Sequence, residues 1–336
     1  MRNPSNKLPL PPYTLAMPSP LVFELPAFLF GLLFGSFLNV CISRLPEHRS
    51  ISKPRSHCPT CKKTIAWYDN VPLLSWVLLR GKCRGCGAAI SWRYPAVELT
   101  VAAWFTLNTL LLVRIIRVFS TIGAWDPRNG PMASSTADNA IFNMVAGAIL
   151  GFFLIGLLVM DWQTHKLPDA FTFPGMLVGF LLVCTQAIFL TPGEDDIHLN
   201  PRNDLRMSSP GSFAAKGNVF LTGPEHLVFG RLAAIVGAAL LLLAVRGIYK
   251  AVRHQEGLGL GDVKLLAMIA AFLGFWPAML ALFVGVILCS GYAVTLIARK
   301  KAHSLTRLPL GTFLAIGGLF AAVFGGPLIA WYGSLL

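Results

Sequence analysis

The chain has 336 residues, of which 55% are hydrophobic and only 13% charged, with a formal net charge of +13. A water-soluble domain carries about a quarter charged residues, so this composition excludes that class and points to a membrane protein. The positive charge invites a nucleic-acid reading. Most lysines and arginines instead fall in alternate segments between apolar runs, the pattern of membrane topology.

Residues 1–20 are rich in proline and read as a disordered tail. The first apolar run, Leu21–Ile42, is too long for a signal peptide and lacks a clear small-residue cleavage site. It reads as a retained first transmembrane helix over residues 21–43. Further apolar runs follow at Tyr94–Val113, Ala140–Met160, Ala170–Leu190, Leu227–Val245, Val263–Trp276, Ala278–Ala298 and Leu310–Tyr332. The Val263–Trp276 run is short for a span and is compatible with a half-buried helix or one in a thinned membrane. The predicted fold is all-α: a polytopic membrane protein of about eight transmembrane helices with one small insertion.

With the first tail outside, the basic segments Arg44–Arg93, Asp161–Asp169, Arg246–Lys264 and Arg299–Arg307 lie on the cytoplasmic side. The insertion is then residues 44–93, and residues 94–336 form the main membrane domain. Residues 191–226 make an external loop rich in Pro, Gly, Asn and Asp, with no visible chemistry. No internal repeat stands out.

The insertion reads "CPTCKKTIAWYDNVPLLSWVLLRGKCRGCG" and holds two Cys-x-x-Cys pairs, Cys58/Cys61 and Cys83/Cys86. Each pair aims two thiolates at one point, and two pairs complete a tetrahedral site suited to zinc. A segment this short buries little core and gains from such a staple. The rival readings are two disulfides or a redox pair. The cytoplasmic assignment disfavours the first, and no βαβ pattern accompanies the second. Cys41, Cys184 and Cys289 sit in apolar runs and read as packing residues.

The 15 acidic residues lie mostly in loops. Asp161 ends the third span and Asp262 begins the short sixth, so the topology puts both at similar depth on the cytoplasmic face. Two neighbouring carboxylates cannot comfortably both ionise, and such a pair titrates as a unit. That is the arrangement of an aspartic protease, in which one carboxylate takes a proton from water and the other polarises the peptide carbonyl. Asp262 reads equally well as a helix cap, whereas an acid at a helix C-terminus, as Asp161 would be, is unfavourable and wants another reason. Gly257, Gly259 and Gly261 would let the backbone bend close to Asp262 or to a substrate. Asp169 follows Pro168 and reads as a cap for the fourth span. Glu98 reads as a partner of Arg93 or Arg80, His165 as an interfacial loop residue. Lys264 either pairs with Asp262 or sits at the membrane interface.

These residues, taken in order, resemble the prepilin peptidases, the GxGD class of membrane aspartic proteases. The resemblance is carried by "GSFLNVCISRLP" (Gly35–Pro46), the two cysteine pairs with "RYPAVEL" after them, "DWQTHKLPD" (Asp161–Asp169), "GLGLGDVKLL" (Gly257–Leu266) and "LPLGTFLAIGG" (Leu308–Gly318). It implies that Asp161 and Asp262 are the catalytic pair. It also implies that the substrate is a type IV prepilin or pseudopilin, cut after a glycine at the cytoplasmic face of the inner membrane. Many members also methylate the new N-terminus with S-adenosylmethionine. Here that activity rests on the resemblance alone, since no glycine-rich turn follows a strand to mark a nucleotide site. Three functions of other classes compete with the peptidase. A transporter would place charges near mid-membrane rather than at span ends. A non-catalytic zinc-bearing scaffold would tolerate loss of both aspartates. A methyltransferase without peptidase activity would modify pilins that are already trimmed.

Overall fold

The computed structural model describes residues 21–121, 132–189, 225–254, 258–299 and 308–335. Residues 1–20, nearly all of the 191–226 loop, and Gly257 lie outside them, as do the lysines of Arg299–Arg307. Among the described residues the chain is all-α. In order, α1 is Leu21–Arg44, α2 Leu74–Leu78, α3 Arg93–Thr121, α4 Met132–Thr164, α5 Asp169–Phe189, α6 Glu225–Arg253, α7 Leu260–Leu273, α8 Phe275–Ala298 and α9 Leu310–Gly333. Seven of these, all except α2 and α7, are long and apolar enough to cross a membrane. Their outer faces expose residues such as Phe30, Leu33 and Phe34 on α1, which suits lipid and not water.

Helix α7 is the buried alternative that the shortness of its apolar run left open, so among the described residues seven helices rather than eight are long enough to span. Its 14 residues rise about 21 Å, short of the roughly 30 Å hydrocarbon core. It is apolar on all sides because it is enclosed on all sides: Leu265, Leu266, Met268, Ile269 and Ala270 are wholly buried. Helices α5, α6, α8 and α9 surround it. The break between α7 and α8 falls at Gly274, with φ of 91°, rather than at Trp276 as the apolar runs suggested.

Helix α1 packs most extensively on α3. A Cβ at Gly35 would come within 2.6 Å of the Glu98 Cα, so a larger residue would force the two helices apart. The side chain of Glu98 does not pair with Arg93 or Arg80. Its Oε2 accepts the backbone N–H of Leu73 at 2.7 Å. Leu73 is held at φ 59°, a conformation unfavourable for a branched side chain, and the buried carboxylate helps to fix it there. Glu98 thereby fastens the insertion to the helical bundle.

Candidate active site and metal centre

The insertion contains two short turns of the same design. In the first, the Cys58 N–H donates to the Lys63 carbonyl and the Lys62 N–H to the Cys58 carbonyl. In the second, Cys83 donates to Ala88, and Gly87 to Cys83. An isolated bridge flanks each turn, His57 with Thr64 and Lys82 with Ala89. Lys62 and Gly87, each just after the second cysteine, share a positive φ. The match runs on through Ile65 with Ile90 and Trp67 with Trp92. The insertion is therefore an internal repeat, contrary to the expectation from sequence that there is none.

The repeat faces its two turns so that the four sulfurs of Cys58, Cys61, Cys83 and Cys86 lie within 4.8 Å of one another. The Sγ atoms of Cys58 and Cys86 are 3.8 Å apart. A tetrahedral zinc with bonds of about 2.3 Å needs sulfurs about 3.8 Å apart, so the donor set fits that ion. The backbone N–H groups of Cys61 and Thr60 point at the Cys58 sulfur and lower its thiol, whereas burial and the neighbouring sulfurs push Cys86 up, so four thiols this crowded do not all ionise without a cation between them. Arg84 binds both oxygens of Asp69, at 2.9 and 2.7 Å, tying the second turn to the 3₁₀ turn Trp67–Asn70. That guanidinium holds the Asp69 carboxyl below the usual carboxylate range.

The insertion and both aspartates lie at one end of the bundle. Arg93, where the insertion passes into α3, donates to Gln163 at 2.5 Å, two residues beyond Asp161 in the last turns of α4. Asp161 is buried, at 6% exposure. Its Oδ2 accepts the backbone N–H of Thr312 at 2.7 Å and the Thr312 hydroxyl at 3.0 Å. Thr312 lies in the first turn of α9, whose early N–H groups have no partner within the helix. The acid that is misplaced at the C-terminus of its own helix thus sits on the positive end of another. A Cβ at Gly311 would come within 3.0 Å of the same oxygen, so this approach needs a glycine.

Asp262 lies in the first turn of α7, and its carboxylate bonds back to the backbone of Gly259, the N-cap residue. It is therefore the second half of a capping box and not the cap itself. The two carboxylates are close enough for their charges to interact. Leu167, in the turn after α4, packs within 3.0 Å of where Cβ atoms would stand at Gly261 and Gly311, closing the space beside both acids. Gly259 has ordinary extended dihedrals, so its role is room for the Asp262 carboxylate and not an unusual bend.

Among the neighbours, Lys264 pairs with Asp169 at 2.6 Å, not with Asp262, and lies over the Phe173 ring. This joins the start of α5 to the start of α7. His165 occupies the positive-φ turn closing α4, its N–H bonded to the Asp161 carbonyl. Thr312 is a site residue that sequence reasoning missed. The motif "LPLGTF" marks a helix start after proline, and a Thr three positions into such a start offers both a free N–H and a hydroxyl.

Comparison with known proteins bears on this arrangement. The model of the Bacterial Peptidase A24 N-terminal domain matches residues 29–112, and that of the Type IV leader peptidase family matches residues 209–294. The second stretch contains Asp262, and Asp161 lies between the two. A protein of Stutzerimonas stutzeri named prepilin leader peptidase/N-methyltransferase is 30% identical over 94% of this chain and 95% of its own. One of the same name from Aeromonas hydrophila is 30% identical, covering 91% and 92%. The chain belongs to the type IV leader peptidase family. A Myxococcus xanthus member of the family is 34% identical over 77% of this chain and 58% of its own. No solved structure matches.

Proposed function

We propose that this family member is an aspartic endopeptidase of the cytoplasmic membrane that removes the leader of type IV prepilins or pseudopilins, cutting after a glycine. Asp161 and Asp262 are the catalytic pair. The observation that carries this reading is the placement of two carboxylates within range of each other at one end of the bundle, one of them held by Thr312 on the start of α9. Asp161, which accepts two hydrogen bonds from the start of α9, is the member that takes a proton from the attacking water. Asp262 is the member that carries a proton and polarises the substrate carbonyl. The amine then leaves with a proton returned by the pair. The insertion 44–93 and both aspartates face the cytoplasm, where a basic leader stays behind when its hydrophobic helix enters the bilayer. Residues 94–336 form the peptidase domain.

Four thiolates leave a zinc ion no open position, so Cys58, Cys61, Cys83 and Cys86 hold zinc as a structural staple. The names of the relatives support a second activity, methylation of the new N-terminus with S-adenosylmethionine as donor. The test is the mass of products from a synthetic prepilin carrying its own hydrophobic helix, incubated with the purified protein in lipid. The expected products are a leader ending in glycine and a mature chain that gains one methyl group only when S-adenosylmethionine is supplied. An uncut precursor, with folded and zinc-loaded protein, overturns the peptidase reading.

A further inference from the structure

Between the end of α1 and the insertion lies a cavity of about 310 Å³ that neither the aspartate pair nor the thiols use. Its wall on α1 is Phe37, Val40 and Arg44, one stripe along the last turns of the helix. The facing wall includes Arg55, Ser56 and Trp67 of the insertion. Two arginines line the cavity and no acidic side chain does. We propose that it binds the headgroup of an anionic phospholipid, whose acyl chains run down α1. The site rests on the membrane placement of the bundle and not on the peptidase reading.

The positive charge here is uncompensated. Arg44 binds the carbonyls of Ser50, Ile51 and Pro54, which fixes its guanidinium but leaves its charge. Arg55 makes no side-chain hydrogen bond or ion pair among the described residues. The insertion has only two acidic residues, Glu47 and Asp69, and Arg49 and Arg84 hold them. A phosphodiester supplies the missing negative charge, and the guanidinium fork matches its oxygens. Ser56 adds a hydroxyl on the same wall. The same charge repels a basic leader, so the leader does not belong there.

The apolar wall asks for a lipid and not a bare anion. Phe37 continues down α1 into Phe34, Leu33 and Phe30, residues three or four apart on one face, and all four are exposed. Phe34 and Phe37 both lie on the Phe152 ring of α4, so the stripe follows the seam of two spans. A cation at the helix end with an apolar stripe beneath it repeats the order of headgroup and acyl chain. Trp67 is 76% exposed beside that cation, and exposed indoles are enriched at the level of the headgroups. Basic pockets at the ends of spans recognise anionic headgroups in this way. Glu98 fastens one side of the insertion to α3, and the lipid fastens the other side to α1.

The test is to strip the full-length protein of lipid in detergent, titrate it with phosphatidylglycerol or phosphatidylcholine, and count bound lipid by native mass spectrometry. Phosphatidylglycerol is expected to be retained in a tight site and phosphatidylcholine is not. A basic residue near the membrane surface contributes about fivefold to anionic-lipid binding, so Arg55→Ala should weaken the site about fivefold and Arg55→Glu about twenty-fivefold. Lys82→Ala removes the same charge from the insertion outside the cavity, and should bind as wild type. Arg44 is left intact because its carbonyl contacts build the wall. Limited proteolysis in nanodiscs gives a second readout. Phosphatidylglycerol should slow cutting within residues 51–92 of the wild type relative to phosphatidylcholine, and Arg55→Glu should be cut equally in both. Equal retention of the two lipids overturns the site, as does equal loss in Lys82→Ala and Arg55→Ala. Displacement of the lipid by an equal concentration of glycerol 1-phosphate also overturns it, since the cavity would then bind a free phosphate with no use for the chains.

Discussion

The cysteine insertion and the aspartate end of the bundle both hold polar groups in fixed positions, but by opposite means. In the insertion every one of the four cysteines sits on a local turn, and residues a few positions apart make the hydrogen bonds that aim it. At the aspartates the partners come from distant helices: Thr312 of α9 holds Asp161 of α4, and Lys264 of α7 holds Asp169 of α5. A fifty-residue insertion has too little apolar core to order itself, so its geometry rests on turn chemistry that gathers four thiols at one point. The bundle has core to spare and can position a carboxylate by docking one helix end on another.

That difference can be broken from either side. Removing the staple has the largest expected effect. Cys58→Ser should abolish zinc binding, measured as metal per chain, and open residues 51–92 to limited proteolysis while the long helices stay protected. A variant that keeps one zinc per chain would show that the fourth ligand is dispensable. Next is Thr312→Val, which removes a hydroxyl from Asp161 but leaves the backbone N–H. A hydrogen bond to a charged group contributes about 1.5–3 kcal/mol, so kcat on prepilin should fall roughly tenfold to a hundredfold with zinc content unchanged. The smallest effect belongs to the Lys264–Asp169 pair. It is partly exposed, with side chains 29% and 60% accessible, and pairs of that kind contribute at most about 1 kcal/mol. Lys264→Asp should slow cleavage a few-fold, and Lys264→Asp with Asp169→Lys should restore most of the rate.

The same contrast explains what is legible in the sequence. The four cysteines form one cluster whose spacing alone announces it, because the information is local. The repeat around them escapes notice, although Cys-x-x-Cys-x-x-x-Ile-x-Trp occurs twice, since the positions between the matched residues have diverged. Helix count is legible to within one: hydropathy cannot tell a short span from a helix buried in a bundle, and α7 is the latter. That Asp161 closes one helix and Asp262 opens a later one is legible in the apolar runs, but their partners are not. Thr312 lies 151 positions from Asp161, and a backbone N–H leaves no mark in a sequence. Glu98 invites an arginine partner for the same reason, when its partner is the main chain of Leu73.

The most direct measurement is single-turnover cleavage of a helix-bearing prepilin by the wild-type protein, Asp161→Asn and Asp262→Asn, with equal zinc content confirming that all three are folded. Loss of a residue central to catalysis typically costs about 10⁴-fold or more. The expected result is that each asparagine variant leaves the precursor uncut over the time in which the wild type converts all of it. Cleavage at the wild-type rate by either variant would contradict the pairing of Asp161 with Asp262 on which the proposed mechanism stands.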